Sequence, residues 1–194
     1  MALYAALLFG AALATHRPVA RDLTCHDLYN SSLADIEDKR YDRALEKLGR
    51  VRAEIPGNAE TYFAMGNAYV GKEDYQQAAL CYRRVIALDP RHHRAYNNLA
   101  VIAYQQKLLQ PAEHLLSTSL AIESGDAKTN YLLACVRRDL GDREGARGPA
   151  AEALRLRPDL EEYRKLNEEL SAPAPTTAIH TASTNSTAAF DRFP

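Results

Sequence analysis

The stretch that decides the fold is "GNAYVGKEDYQQAALCYRRVIALDP", residues 66–90. Small residues, Gly66 and Ala78, stand at set distances from large ones, Tyr69, Tyr75 and Tyr82, and the stretch closes on Asp89-Pro90. Side-chain volume is specified closely here, and no phosphate-binding loop or metal-ligand cluster is. A shift of 34 residues explains why. Ser32, Gly66, Ala100 and Ala134 fall in one column, and Ala44, Ala78, Ala112 and Ala146 in a second. Pro56, Pro90 and Pro158 make a third, with Ser124 in the gap. Bulky partners repeat in step: Leu28, Tyr62 and Tyr96; Met65, Leu99 and Leu133; Leu48, Tyr82 and Leu116. Four copies therefore run through 25–58, 59–92, 93–126 and 127–160.

Within the second copy the apolar spacing is helical. Tyr62, Met65, Gly66 and Tyr69 form one stripe; Tyr75, Ala78, Tyr82, Val85 and Ile86 form another. Gly71 to Asp74 breaks between them, and proline at 90 pushes its predecessor out of the helical region. Each copy thus predicts an antiparallel helix pair. Helices approach to roughly 8–10 Å only where the contacting side chains permit it, so Gly66 and Ala78 mark the contact within a pair. One pair cannot bury its apolar face alone, so the copies are expected to stack. Beyond Pro158, Asp159 and Glu162 are placed to cap a final helix over 161–171. Its apolar stripe is Leu160, Tyr163, Leu166 and Leu170, and its polar face closes the stack. In the fourth copy Pro149 is expected to kink the second helix.

This arrangement resembles the tetratricopeptide repeat family. The second copy carries Tyr62, Met65, Gly66, Tyr69, Ala78, Tyr82, Val85 and Pro90 at that family's signature places, and the first copy, with Ser31 and Ser32 in its leading helix, is the divergent one. The resemblance implies an all-α, right-handed superhelical solenoid whose leading helices line a concave groove for a peptide or partner helix. Carried onto this chain, the groove comprises Tyr29, Phe63, Asn67, Arg94, Asn97, Val101, Tyr104, Lys128, Tyr131 and Arg138. Aromatic and Arg anchors of this kind suit peptide capture. Some members of the family also hold a C-terminal carboxylate with Lys, Asn and Arg from three leading helices. Asn67, Asn98 and Lys128 stand at three of those places, but Phe63 and Leu132 occupy the two remaining cation positions, so a complete clamp is not expected.

The ends differ from the middle. Ala2 to Ala14 is an uncharged run, shorter than the roughly 20 residues a membrane helix needs. With Ala12-Leu13-Ala14 ahead of Thr15, residues 1–14 read as a secretory signal or an N-terminal anchor, although no basic residue precedes the run. Residues 15–24 read as a linker. Residues 172–194, rich in Ser and Thr with prolines early, read as a disordered tail. Cys25, Cys81 and Cys135 are too widely spaced for a disulfide framework and are expected to pack as small apolar groups. His92 and His93 fall between copies and read as exposed turn residues, without the further ligands a metal would need.

A net charge of -1 argues against nucleic acid as the main partner. No catalytic motif and no cofactor or metal site is found, so the chain is expected to be a non-catalytic adapter with a protein or peptide partner, exported (periplasmic or secreted) or membrane-tethered through residues 2–14. Two other readings use the same groove: a cytoplasmic co-chaperone or assembly factor, and an accessory subunit of a multi-subunit enzyme.

Overall fold

The structure, a computed structural model, describes residues 24–172. The expectations for the apolar segment at 1–14, for the linker up to 23 and for the tail from 173 onward lie outside the described residues. The helices are α1 (Cys25–Glu37), α2 (Tyr41–Glu54), α3 (Ala59–Gly71), α4 (Tyr75–Leu88), α5 (His93–Gln105), α6 (Leu109–Ile122), α7 (Ala127–Asp139), α8 (Arg143–Leu156) and α9 (Glu161–Ser171). The described residues contain no strand. Leading and trailing helices pair, α1 with α2 through α7 with α8, and each pair packs on the next. The chain is an all-α solenoid.

The period appears in the backbone as well as in the side chains. Lys39, Glu73, Lys107 and Gly141 each adopt positive φ, at 59°, 60°, 63° and 85°. Each ends a leading helix in the left-handed conformation. The residue that follows (Arg40, Asp74, Leu108 or Asp142) donates its N–H to the carbonyl five residues back, at 2.7 to 2.9 Å. This turn reverses the chain over three residues and forces the trailing helix to lie antiparallel. Asp74 and Asp142 then cap that helix, accepting from the N–H of Gln77 at 3.1 Å and of Gly145 at 2.9 Å.

The alanine column explains the close approach. Ala44, Ala78, Ala112 and Ala146 are all 0% exposed. In the second pair, a Cβ built on Gly66 would lie 2.6 Å from Cε1 of Tyr82, so the glycine is what lets that ring fill the space between α3 and α4. Tyr82 packs with Phe63, Val85, Leu99 and Ile102, which joins the second pair to α5.

Three local features bear on the sequence reading. Helix α8 continues through Pro149. The carbonyl of Gly145, which loses its helical donor to the proline ring, accepts instead from an Arg137 guanidinium N–H at 3.0 Å. Helix α9 is preceded by Leu160 with no side-chain cap. Asp159 is occupied elsewhere, taking two bonds from Arg157 at 2.9 and 2.8 Å. In the first pair, Asp35 stands where the second copy has Tyr69, and it is 1% exposed. It is ion-paired with Lys47 and with Arg40, the latter at 2.8 Å. The Lys47 ammonium, then the Arg40 guanidinium, hold its carboxyl below the usual carboxylate range.

Candidate functional site

Leading helices also meet one another across the pairs. Besides its sequential neighbour, α1 packs on α3 and α5 on α7, closer than any two trailing helices. In the middle of this face lies a depression of about 240 Å³, bounded by Asn67, Val70, Tyr75, Tyr82, Asn98, Val101, Ile102, Gln105 and Lys128. Three helices supply its polar centre. The Tyr82 hydroxyl donates to Asn67 Oδ1 at 2.8 Å, and Asn98 Nδ2 donates to the same oxygen at 3.2 Å and to the Tyr82 hydroxyl at 3.2 Å. Burial pushes the Tyr82 phenol up to about 12, so it stays protonated and keeps donating. Val70, Val101 and Ile102 make the apolar floor, and Lys128, exposed at the rim, forms no ion pair with any described residue.

Of the residues nominated from sequence, the fold brings Asn67, Val101 and Lys128 into this depression. Tyr29 lies apart, in a second depression of about 340 Å³ among α1, α2 and α3, with Cys25, His26, Asn30 and Glu60. Phe63 is buried, covered by the Arg94 guanidinium 5.0 Å from its ring centre and by the His92 ring at 4.7 Å. Asn97 is also buried; its amide donates to Thr129 Oγ1 at 2.7 Å and to Asp126 at 3.3 Å, tying α5 to α7. Tyr104 donates to Asp139 at 2.6 Å, and Arg138 pairs with Asp139 and Glu169. Tyr131 stacks on Tyr163 of α9 with ring centres 4.6 Å apart. Burial pushes the phenols of Tyr104 and Tyr131 up to about 12.

Sequence reasoning left Gln105 and Tyr75 out of the groove. Gln105 lies four residues beyond Val101, one helical turn along the same face, a signal the sequence carried. Tyr75 comes from a trailing helix, which periodicity assigns wholly to packing. His92 is not the exposed turn residue expected: it caps α5, and its side chain is 9% exposed. Cys81 and Cys135 are buried and free, and burial pushes the Cys81 thiol up to about 11, so it is no ready nucleophile. Among the described residues no group of His, Cys, Asp and Glu is placed to hold a metal, and no helix is long and apolar enough to cross a membrane.

Helix pairs that repeat every 34 residues and stack one on the next define a helical-repeat solenoid. Residues 63–127 match the tetratricopeptide repeat family. Among curated proteins, the BBSome complex member BBS4 of Xenopus tropicalis is 28% identical over 115 residues, 59% of this chain and 22% of that protein. The matched part of this chain thus spans only about a fifth of that relative's length. Among solved structures, residues 41 to the end of MamA from Desulfovibrio magneticus RS-1 superpose with a TM-score of 0.69 at 22% identity, over 75% of this chain and 82% of that one. The first TPR of Spaghetti (RPAP3) bound to the HSP90 peptide SRMEEVD gives 0.56 at 23% identity, over 58% and 90%.

Proposed function

We propose that this chain is a non-catalytic interaction scaffold that holds an extended acidic peptide, or one face of a partner helix, along its groove. The observation that carries this reading is the central depression. An apolar floor of Val70, Val101 and Ile102 takes a side chain, the Asn67–Tyr82–Asn98 triad faces backbone polar groups, and Lys128 supplies an unpaired cation. Arg94, which also makes no ion pair with a described residue, adds a second positive charge on α5. The likeness to a repeat domain bound to the acidic peptide SRMEEVD supports the same chemistry. Tyr104, Tyr131 and Arg138 extend the groove toward α9, with Phe63 and Asn97 as buried supports beneath it.

The test is Arg94→Glu combined with Lys128→Glu, both exposed positions. The full-length chain and this variant are used as bait in an extract of the native source. Partners captured by the first and lost by the second, with circular dichroism unchanged, are the expected outcome. The same captured set for both baits removes the groove from the mechanism.

The uncharged run at 2–14 supports an exported or membrane-tethered location. A mature chain beginning at Thr15 is expected; Met1 or Ala2 would favour retention. One observation favours a second reading. BBS4 is a member of a multi-subunit complex, so this scaffold would act as an assembly factor or accessory subunit. Stoichiometric co-purification with a fixed set of subunits separates that reading from transient peptide capture.

A further inference from the structure

The leading helices are not capped alike. Thr24, Asn58 and Asp126 begin α1, α3 and α7 with a side-chain oxygen accepting a first-turn N–H. Helix α5 is begun by an imidazole: His92 Nδ1 accepts from the backbone N–H of Ala95 at 3.2 Å. A backbone N–H can only donate, so this geometry requires a lone pair on Nδ1 and places the ring proton on Nε2. Histidine is the side chain that takes up charge between pH 5 and 8. The caps of α1 and α3, a hydroxyl and an amide, carry no group that ionises in that range.

We propose that His92 is a pH-sensitive latch at the edge of the groove: a proton on Nδ1 breaks the α5 cap, loosens the first turn that carries Arg94, and weakens the hold on a bound peptide. The incoming proton would point at a donor, and the imidazolium would sit at the positive end of a helix. The surrounding groups do not reverse this. Glu60 of α3 lies 3.5 Å from Nε2, but its side chain is 60% exposed, and a solvated pair contributes less than the cap bond that is lost. Asp89, at the end of α4, accepts the His92 backbone N–H through its carbonyl at 3.1 Å and the Arg91 N–H through its carboxylate at 2.9 Å. Tyr29 of α1 lies near Glu60 and Arg94, and His93 adjoins His92 in the chain. Arg94 stands over the same Phe63 ring that His92 packs against, so protonation places a second cation beside the first.

The consequence for binding rests on the proposed groove, whereas the latch itself is read without any partner. Long-range proton–nitrogen correlation on the full chain, with ¹⁵N-labelled histidine, is expected to show His92 as the Nε2–H tautomer at pH 8. Between pH 8 and pH 5 the hydrogen-exchange protection factor of the Ala95 amide should fall roughly five-fold or more, the equivalent of one lost cap. His92→Asn supplies a cap that does not titrate, and should hold that protection level. An Nδ1–H tautomer at pH 8, or an equal fall in His92→Asn, overturns the proposal. In the binding arm, wild type should lose affinity for a captured partner between pH 8 and pH 5 while His92→Asn does not. Equal loss in both overturns the link to binding. If no partner binds either chain at pH 8, the groove reading fails and the tautomer still decides the latch.

Discussion

Gly66→Ala tests whether volume, rather than helix propensity, governs this fold. The new Cβ would meet Tyr82 at 2.6 Å from Cε1 and 2.9 Å from both Cδ1 and Cζ, where ordinary carbon contacts lie at about 3.5–4.0 Å. The ring cannot swing away freely. It is 1% exposed, and its hydroxyl is tied to Asn67 and Asn98. Overpacking of this kind costs about 1–3 kcal/mol. Replacing a helical glycine by alanine returns about 1 kcal/mol. The net expectation is a loss of about 1 kcal/mol, a fall in melting temperature of roughly 2–4 °C for a chain of this size. Relief should come from the facing side. At the corresponding places the chain pairs Ser32 with Leu48 and Ala100 with Leu116, a larger small residue with a smaller large one. In a Tyr82→Leu background, Gly66→Ala should therefore stabilise by about 1 kcal/mol, giving a coupling of about 2 kcal/mol between the two positions. Gly49, inside α2, is the control, because a Cβ there meets nothing within 4 Å. Gly49→Ala should stabilise by about 0.5–1 kcal/mol. Urea midpoints for the set decide the matter. If Gly66→Ala raises the midpoint as Gly49→Ala does, the reasoning fails.

Three further predictions follow from particular contacts. Pro149→Ala restores the helical donor to the Gly145 carbonyl; of the roughly 3 kcal/mol that an interior proline costs, Arg137 already recovers about 1, so urea denaturation should show a gain of about 1–2 kcal/mol. Because the folded Asp35 carboxyl lies below its unfolded value, its contribution is fully present above the usual carboxylate range and disappears as pH falls through the lowered value. Thermal melts between pH 7 and 2 should be shallower on the acid side for Asp35→Asn, and identical slopes would dismiss the Lys47–Asp35–Arg40 cluster as a source of acid sensitivity. Asn97 is 7% exposed, so Asn97→Ala should cost about 1–2 kcal/mol of stability while leaving partner affinity within about two-fold. A large affinity loss at unchanged stability would make it a contact rather than a support.

The fold was legible because one physical quantity, side-chain volume, recurs in step. The site was only partly legible because exposure does not recur in the same way. Tyr29, Phe63, Asn97 and Tyr131 share one register position in their helices, and sequence treats them alike. Their surroundings differ. Phe63 is roofed by His92 and Arg94, Asn97 is tied down by Thr129 and Asp126, and Tyr131 is stacked against Tyr163, while Tyr29 borders an open depression. Each cover comes from the junction before the next copy or from the next leading helix, so a column read within copies cannot reveal it. Asp35 was missed for a related reason, since the Lys47 that neutralises it lies across the turn on α2. His92 was misread because imidazole is an unusual cap, and only the 3.2 Å approach of the Ala95 N–H distinguishes a cap from a turn residue. The contrast between columns is itself informative. Every copy has alanine where its two helices meet, whereas one column of the leading helices runs Leu33, Asn67, Val101 and Cys135, the last of them buried. Under the proposed function, a chain that repeats its spacing but not the leading-helix side chains would keep the shape of its groove while giving each part of it a different chemistry, as recognition of one extended partner would require.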